Sequence, residues 1–133
     1  MELERKQREL LSEEDIVRIR KEVKELMETL KFKIIDQTKM TTAVSEIARN
    51  TVLHGGGGTA VIEVLNSEER TGIKICFEDN GKGIENIELA LKDGYTTGSG
   101  LGLGLGGAKR LVDEFYIESE INKGTKVTLI KWK

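Results

Sequence analysis

Residues 94–109 read GYTTGSGLGLGLGGAK, and seven of the first fourteen are glycine. A glycine inside a helix costs roughly 0.8–1 kcal/mol relative to alanine, against about 5–15 kcal/mol for the whole stability of a domain. So many glycines in one place imply that backbone must come close to something. Gly102, Gly104 and Gly107 match the spacing G-x-G-x-x-G. The dinucleotide fold needs a strand directly before that motif, inside a βαβ unit. Here the loop GYTTGSG precedes it, and the chain beyond holds only a helix and a hairpin, so that assignment is rejected. A Walker-type loop is rejected too, because no G-K-[ST] occurs. What survives is a glycine-rich loop feeding a helix N-terminus, a source of bare N–H groups suited to phosphate. A surface loop without a ligand is the alternative.

Working outward, Ala108, Leu111, Val112 and Phe115 give the helix that emerges from the loop, expected over 102–113. Two strands follow, 115–121 and 125–132, joined at NKG (122–124) as a hairpin. Upstream, Thr59–Leu65 and Ile73–Glu78 read as strands around the polar turn NSEERT, and a short helix is expected within 86–92. Asp36 is placed as the cap of a helix ending at Gly55, with an apolar stripe of Met40, Val44, Ile47, Ala48 and Thr51. Ser12, followed by Glu13, Glu14 and Asp15, starts an earlier helix. Its stripe is Ile16, Ile19, Val23, Leu26 and Leu30. Residues 2–11 fit a strand or a helix extension. The order is (β)ααββ(α)αββ. Hairpins outnumber crossovers, which predicts an α+β fold: a two-layer α/β sandwich with a mixed sheet and helices on one face.

With 133 residues, a formal net charge of −2 and no proline, the chain is expected to form one domain, 1–133. The charge argues against nucleic-acid and anionic-membrane roles. The single cysteine, Cys76, excludes an internal disulfide and a Cys-based zinc site. With no apolar leader and no long apolar run, a cytoplasmic location is expected and no membrane association.

Three further places carry candidate chemistry. Glu46, Asn50 and His54 recur at i, i+4, i+8 and form one line along a helix. A carboxylate and an amide oxygen one turn apart can share a Mg²⁺ site, or divide into base and ligand; an ordinary polar helix face is the alternative. Asp79-Asn80-Gly81-Lys82-Gly83 follows the strand IKICFE. It is either a plain turn or a strand-end carboxylate that accepts a hydrogen bond from an amino group such as the adenine N6 amine. Gly124-Thr125 opens the last strand.

In this order the four places resemble the motifs of the GHKL (Bergerat-fold) ATPases. Glu46-x-x-x-Asn50 looks like the N box, Asp79-x-Gly81-x-Gly83 the G1 box, Gly98 to Gly104 the G2 box, and Gly124-Thr125 the final G-T motif. The resemblance covers roughly 36–130. The strings VSEIARN and GLGLGLGGAKRLVDEF are similar to the anti-sigma-factor serine/threonine kinase family, the RsbT type of switch kinase with its relatives RsbW and SpoIIAB.

That resemblance implies a serine/threonine protein kinase using ATP and Mg²⁺. Its substrate would be a STAS-domain stressosome protein, and it would regulate a PP2C-type phosphatase. An anti-sigma factor that sequesters a sigma factor is the alternative. Glu46 would be the general base and Asn50 the Mg²⁺ ligand. Asp79 would bind the adenine amine, with Gly81 and Gly83 permitting close approach. The backbone of Gly98, Ser99, Gly100, Leu101, Gly102, Leu103 and Gly104 would cradle phosphate. Thr125 would sit near the adenine, and Lys109 and Arg110 would meet phosphate or partner. Lys82 stands where related anti-sigma kinases often carry proline.

Overall fold

A computed structural model describes residues 5–91 and 104–133. Strand β1 (Arg5–Leu10) is followed by helices α1 (Glu13–Thr29) and α2 (Ile34–Leu53) and by the hairpin β2 (Gly58–Asn66) and β3 (Thr71–Asp79). A one-turn helix α3 (Ile87–Ala90), helix α4 (Leu105–Leu111) and the hairpin β4 (Glu114–Glu120) and β5 (Gly124–Trp132) complete the order.

The five strands form one sheet in the order β1-β2-β3-β5-β4. The expected mixed sheet is instead antiparallel at every pairing among the described residues. The crossover from β3 to β4 does leave those two strands parallel, but β5 inserts between them and pairs antiparallel with both. The parallel relationship therefore never becomes a ladder.

Strand alternation decides what the sheet buries. Ile73, Ile75 and Phe77 of β3 face the helices, with Ile62 and Ala60 of β2 and Val127 and Leu129 of β5 opposite them in register. The same alternation carries Asp79 and its partner Thr125 to the helix side, at an end of the sheet where the described residues leave a cavity between sheet and helices. From α2, Met40, Val44, Ile47, Ala48 and Thr51 are buried as the apolar period requires. α1 buries Ile16, Ile19, Val23 and Met27, while Leu26 and Leu30 pack partly buried at the margin.

Helix ends differ from expectation in two places. Ser12 is the N-cap of α1, but its hydroxyl does not cap the helix. Asp15 Oδ2 instead accepts from the N–H of Leu11, the residue before the cap, at 2.9 Å, and that bond draws its carboxyl below the ordinary range. Asp36 does not cap α2, whose N-cap is Lys33. It lies in the first turn and pairs at 3.7 Å with Lys131, a buried lysine on the inner face of β5 that also reaches Asp113 Oδ1 at 3.4 Å. An inward-facing lysine needs carboxylates, and Asp36 is one of the two.

α1 ends in a Schellman arrangement. Lys31 has φ 64°, its N–H reaches the Glu28 carbonyl at 3.0 Å, and the Phe32 N–H reaches Met27 at 2.9 Å.

Candidate nucleotide site

A cleft of about 820 Å³ opens where α2, the loop after β3, α3, α4 and the start of β5 meet. Ile47, Phe77, Ile84, Leu89, Leu105 and Val127 give it apolar walls, and Asn50, His54, Asp79, Asn86 and Thr125 bring polar groups.

Asp79 sits at the inner end and is 9% exposed. Its Oδ1 accepts from the Gly81 N–H at 2.9 Å and from the Thr125 N–H at 3.3 Å. Burial pushes its carboxyl up from the ordinary value, and those two N–H groups pull against the rise. The second oxygen faces Gly55, just past the end of α2. A side chain at Gly55 would collide with the Asp79 carboxyl, and one at Gly81 would stand 2.7 Å from the Gly55 Cα. Two glycines thus let three backbone segments close around one carboxylate.

α2 runs along the cleft wall from this end. His54 and Gly55 lie beside Asp79, and Asn50 is one turn back along the lining. Glu46 is a further turn away, with its carboxylate against Gly104 at the start of α4. Glu46 and Asn50 are half-buried rather than part of an open polar face. Arg49 Nη1 lies 3.5 Å from Glu46 Oε1. Gly104 adopts a left-handed φ of 68°, and a side chain there would strike Glu46 Oε2. From Glu46 to Gly55 the helical rise amounts to about 13 Å. Carboxylate, amide and buried acceptor are therefore strung out in that order along α2 and the loop that follows it.

Gly83, with φ 77°, packs on the Glu120 carbonyl, and Lys82 lines the cleft mouth. Lys109 is exposed on α4 and does not line the cleft. Gly98, Ser99, Gly100, Leu101, Gly102 and Leu103 lie outside the described residues. Among the described residues no group of three or more His, Cys, Asp or Glu side chains gathers to hold a metal.

Sequence reasoning missed Gly55, which it took only as a helix stop, along with Asn86 and Ser119. Asn86 caps α3 by accepting from the Leu89 N–H at 3.0 Å. Ser119 carries a legible signal: on β4 the inward positions run Phe115, Ile117, Ser119, so a hydroxyl falls where the pattern calls for an apolar group.

The family model for histidine kinase-, DNA gyrase B- and HSP90-like ATPases matches residues 35–133. The chain belongs to that family. It is 42% identical over 123 residues, 92% of each chain, to the serine/threonine-protein kinase RsbT of Bacillus subtilis strain 168. It is 35% identical over 98 residues to an anti-sigma F factor of Clostridium kluyveri, covering 71% of this chain and 69% of that one. By these relationships it is a protein serine/threonine kinase of the family. In fold it resembles the crystal structure of the RsbU and RsbW domains of a Mycobacterium tuberculosis protein, with a TM-score of 0.65 at 18% identity. That match covers 100% of this chain and 33% of the larger one. No helix among the described residues is long and apolar enough to cross a membrane.

Proposed function

We propose that this chain, as one domain, is a kinase of the RsbT type. It transfers the γ-phosphoryl group of ATP to a serine or threonine of a STAS-domain stressosome protein and regulates a PP2C-type phosphatase in the cytoplasm. The observation that carries this reading is the placement along α2 of Glu46 against Gly104, Asn50 in the cleft wall, and Gly55 against Asp79.

Asp79, ionised, accepts the hydrogen bond of the adenine amine, with Thr125 beside it and Gly81 and Gly83 keeping the loop close. Glu46 takes the proton from the acceptor hydroxyl as its oxygen attacks the γ-phosphorus and the bond to the ADP oxygen breaks. Asn50 would hold Mg²⁺ through its amide oxygen, and the ion, when bound, would neutralise phosphate charge. The backbone of 98–104 supplies N–H groups to the phosphates. Lys109, exposed on α4, and Arg110 meet phosphate or the partner protein.

Incubation with γ-labelled ATP, Mg²⁺ and candidate STAS-domain proteins tests this. Label should appear on one of them, and Glu46→Ala should bind ATP yet transfer nothing. Transfer at the wild-type rate in that variant would remove Glu46 from its role.

Similarity to anti-sigma F factors supports a second reading, in which the chain sequesters a sigma factor and phosphorylates its antagonist. A pull-down separates the two: a retained sigma factor supports the second, a retained STAS protein or PP2C phosphatase the first.

A further inference from the structure

Ser119 stands behind the cleft at the end of β4, and three hydrogen bonds meet on its hydroxyl. The Ile84 N–H donates to Ser119 Oγ at 2.7 Å. Ser119 Oγ lies 3.0 Å from the Gly124 carbonyl and 2.8 Å from Thr125 Oγ1. A serine hydroxyl has one proton and two lone pairs. A carbonyl only accepts, so the Ser119 proton goes to Gly124. The Ile84 N–H takes one lone pair, and the other accepts from Thr125. The polarity of the last bond is thereby fixed: Thr125 spends its proton on Ser119, and toward the cleft its oxygen can only accept.

Thr125 is the register partner of Asp79, whose Oδ1 it holds through its own N–H. With the Thr125 proton turned away, both groups present acceptors. The same serine ties down the cleft wall, since Ile84 lines the cleft and its neighbours Lys82 and Gly83 are held on the same hairpin. The Asn122 N–H donates to the Lys82 carbonyl at 2.6 Å.

We propose that Ser119 is a positioning residue for base selection. It orients the Thr125 hydroxyl as an acceptor, so the pocket favours a purine offering an amine at this edge over one offering a carbonyl. This rests on the nucleotide reading above.

Dissociation constants for ATP and for GTP, measured with Mg²⁺ by titration calorimetry, test it. Wild type should prefer ATP. Ser119→Ala frees the Thr125 proton to donate, so the ATP:GTP preference should narrow roughly three- to tenfold, while Ser119→Thr, which keeps the hydroxyl, should retain most of it. Because Ser119 acts through Thr125, the narrowing should vanish when Ser119→Ala is made in a Thr125→Val background. Where the alanine variant fails to fold, Ser119→Cys keeps the shape with a weaker hydrogen-bonding group and should narrow the preference in the same direction. An unaltered ATP:GTP ratio in a folded Ser119→Ala or Ser119→Cys variant overturns the proposal, as does a narrowing that persists without the Thr125 hydroxyl. A wild-type chain that binds neither nucleotide overturns the nucleotide reading itself, a result distinct from the other two.

Discussion

Gly55 and Asp79 approach so closely that a Cβ on the glycine would stand 2.5 Å from Oδ2 and 2.6 Å from the Cβ of the aspartate. Neither side can give way easily, because Asp79 is tied through Oδ1 to two backbone N–H groups. Gly55→Ala should therefore displace the carboxyl or the end of α2, costing about 1–3 kcal/mol of stability. Nucleotide affinity should fall at least tenfold, as read by thermal denaturation and by ATP titration. A variant with wild-type affinity would show that the approach is not needed for binding.

Asp79 should also give nucleotide binding an acid limb. Burial lifts its carboxyl above 3.8. For folding, a raised value means that this group's contribution to stability is full below 3.8 and is lost as pH rises through the folded-state value. Binding runs the other way, because the ionised form is the acceptor. ATP affinity should begin to weaken on acidification while the pH is still above 3.8. Asp79→Asn should lower affinity at neutral pH by roughly 10- to 100-fold and flatten that limb. Parallel pH profiles for wild type and Asp79→Asn would argue against the assignment.

Lys131 should behave as a buried cation with half-exposed partners. It is 7% exposed, whereas the Asp36 and Asp113 side chains are 25% and 40% exposed. Removing one member of a fully buried pair costs about 3–5 kcal/mol, and solvent at both carboxylates reduces that. Lys131→Met, which keeps the volume, should cost about 1–2 kcal/mol in denaturant unfolding. A neutral result would mean that the two carboxylates resolvate completely.

Lys31 occupies a left-handed position at the end of α1 where glycine is the favoured residue. Lys31→Gly should stabilise the fold by about 1 kcal/mol, visible as a raised melting temperature. The position is exposed and remote from the cleft, so ATP titration should be unaltered. A lowered melting temperature would mean that the lysine makes up for its strain elsewhere.

Periodicity made the helices legible. The stripe from Met40 to Thr51 is buried as the 3.6-residue repeat requires, and both hairpins form where their polar turns predict. The order of motifs likewise located Glu46, Asn50, Asp79 and Thr125, which share one cleft or its rim. Other features lay beyond local pattern. The insertion of β5 between β3 and β4 is a pairing choice between distant segments, so the antiparallel sheet could not be read from the crossover. Asp36 looks like a cap in one dimension and becomes the partner of Lys131 only when β5 packs against α2. Gly55 looks like a stop signal until Asp79 is brought against it.

The place of β5 also bears on how the chain acquires its shape. β5 is the last strand in the sequence, yet it is hydrogen-bonded along both edges and joins β4 to the rest of the sheet. Its pairing with β3 spans some fifty residues, Cys76 meeting Thr128 and Asp79 meeting Thr125. Such distant pairings close slowly. Asp79 gains its Thr125 contact only at that step. The inner end of the pocket is thus among the last places to acquire native order, and a ligand held there favours the completed sheet over every partly zipped form.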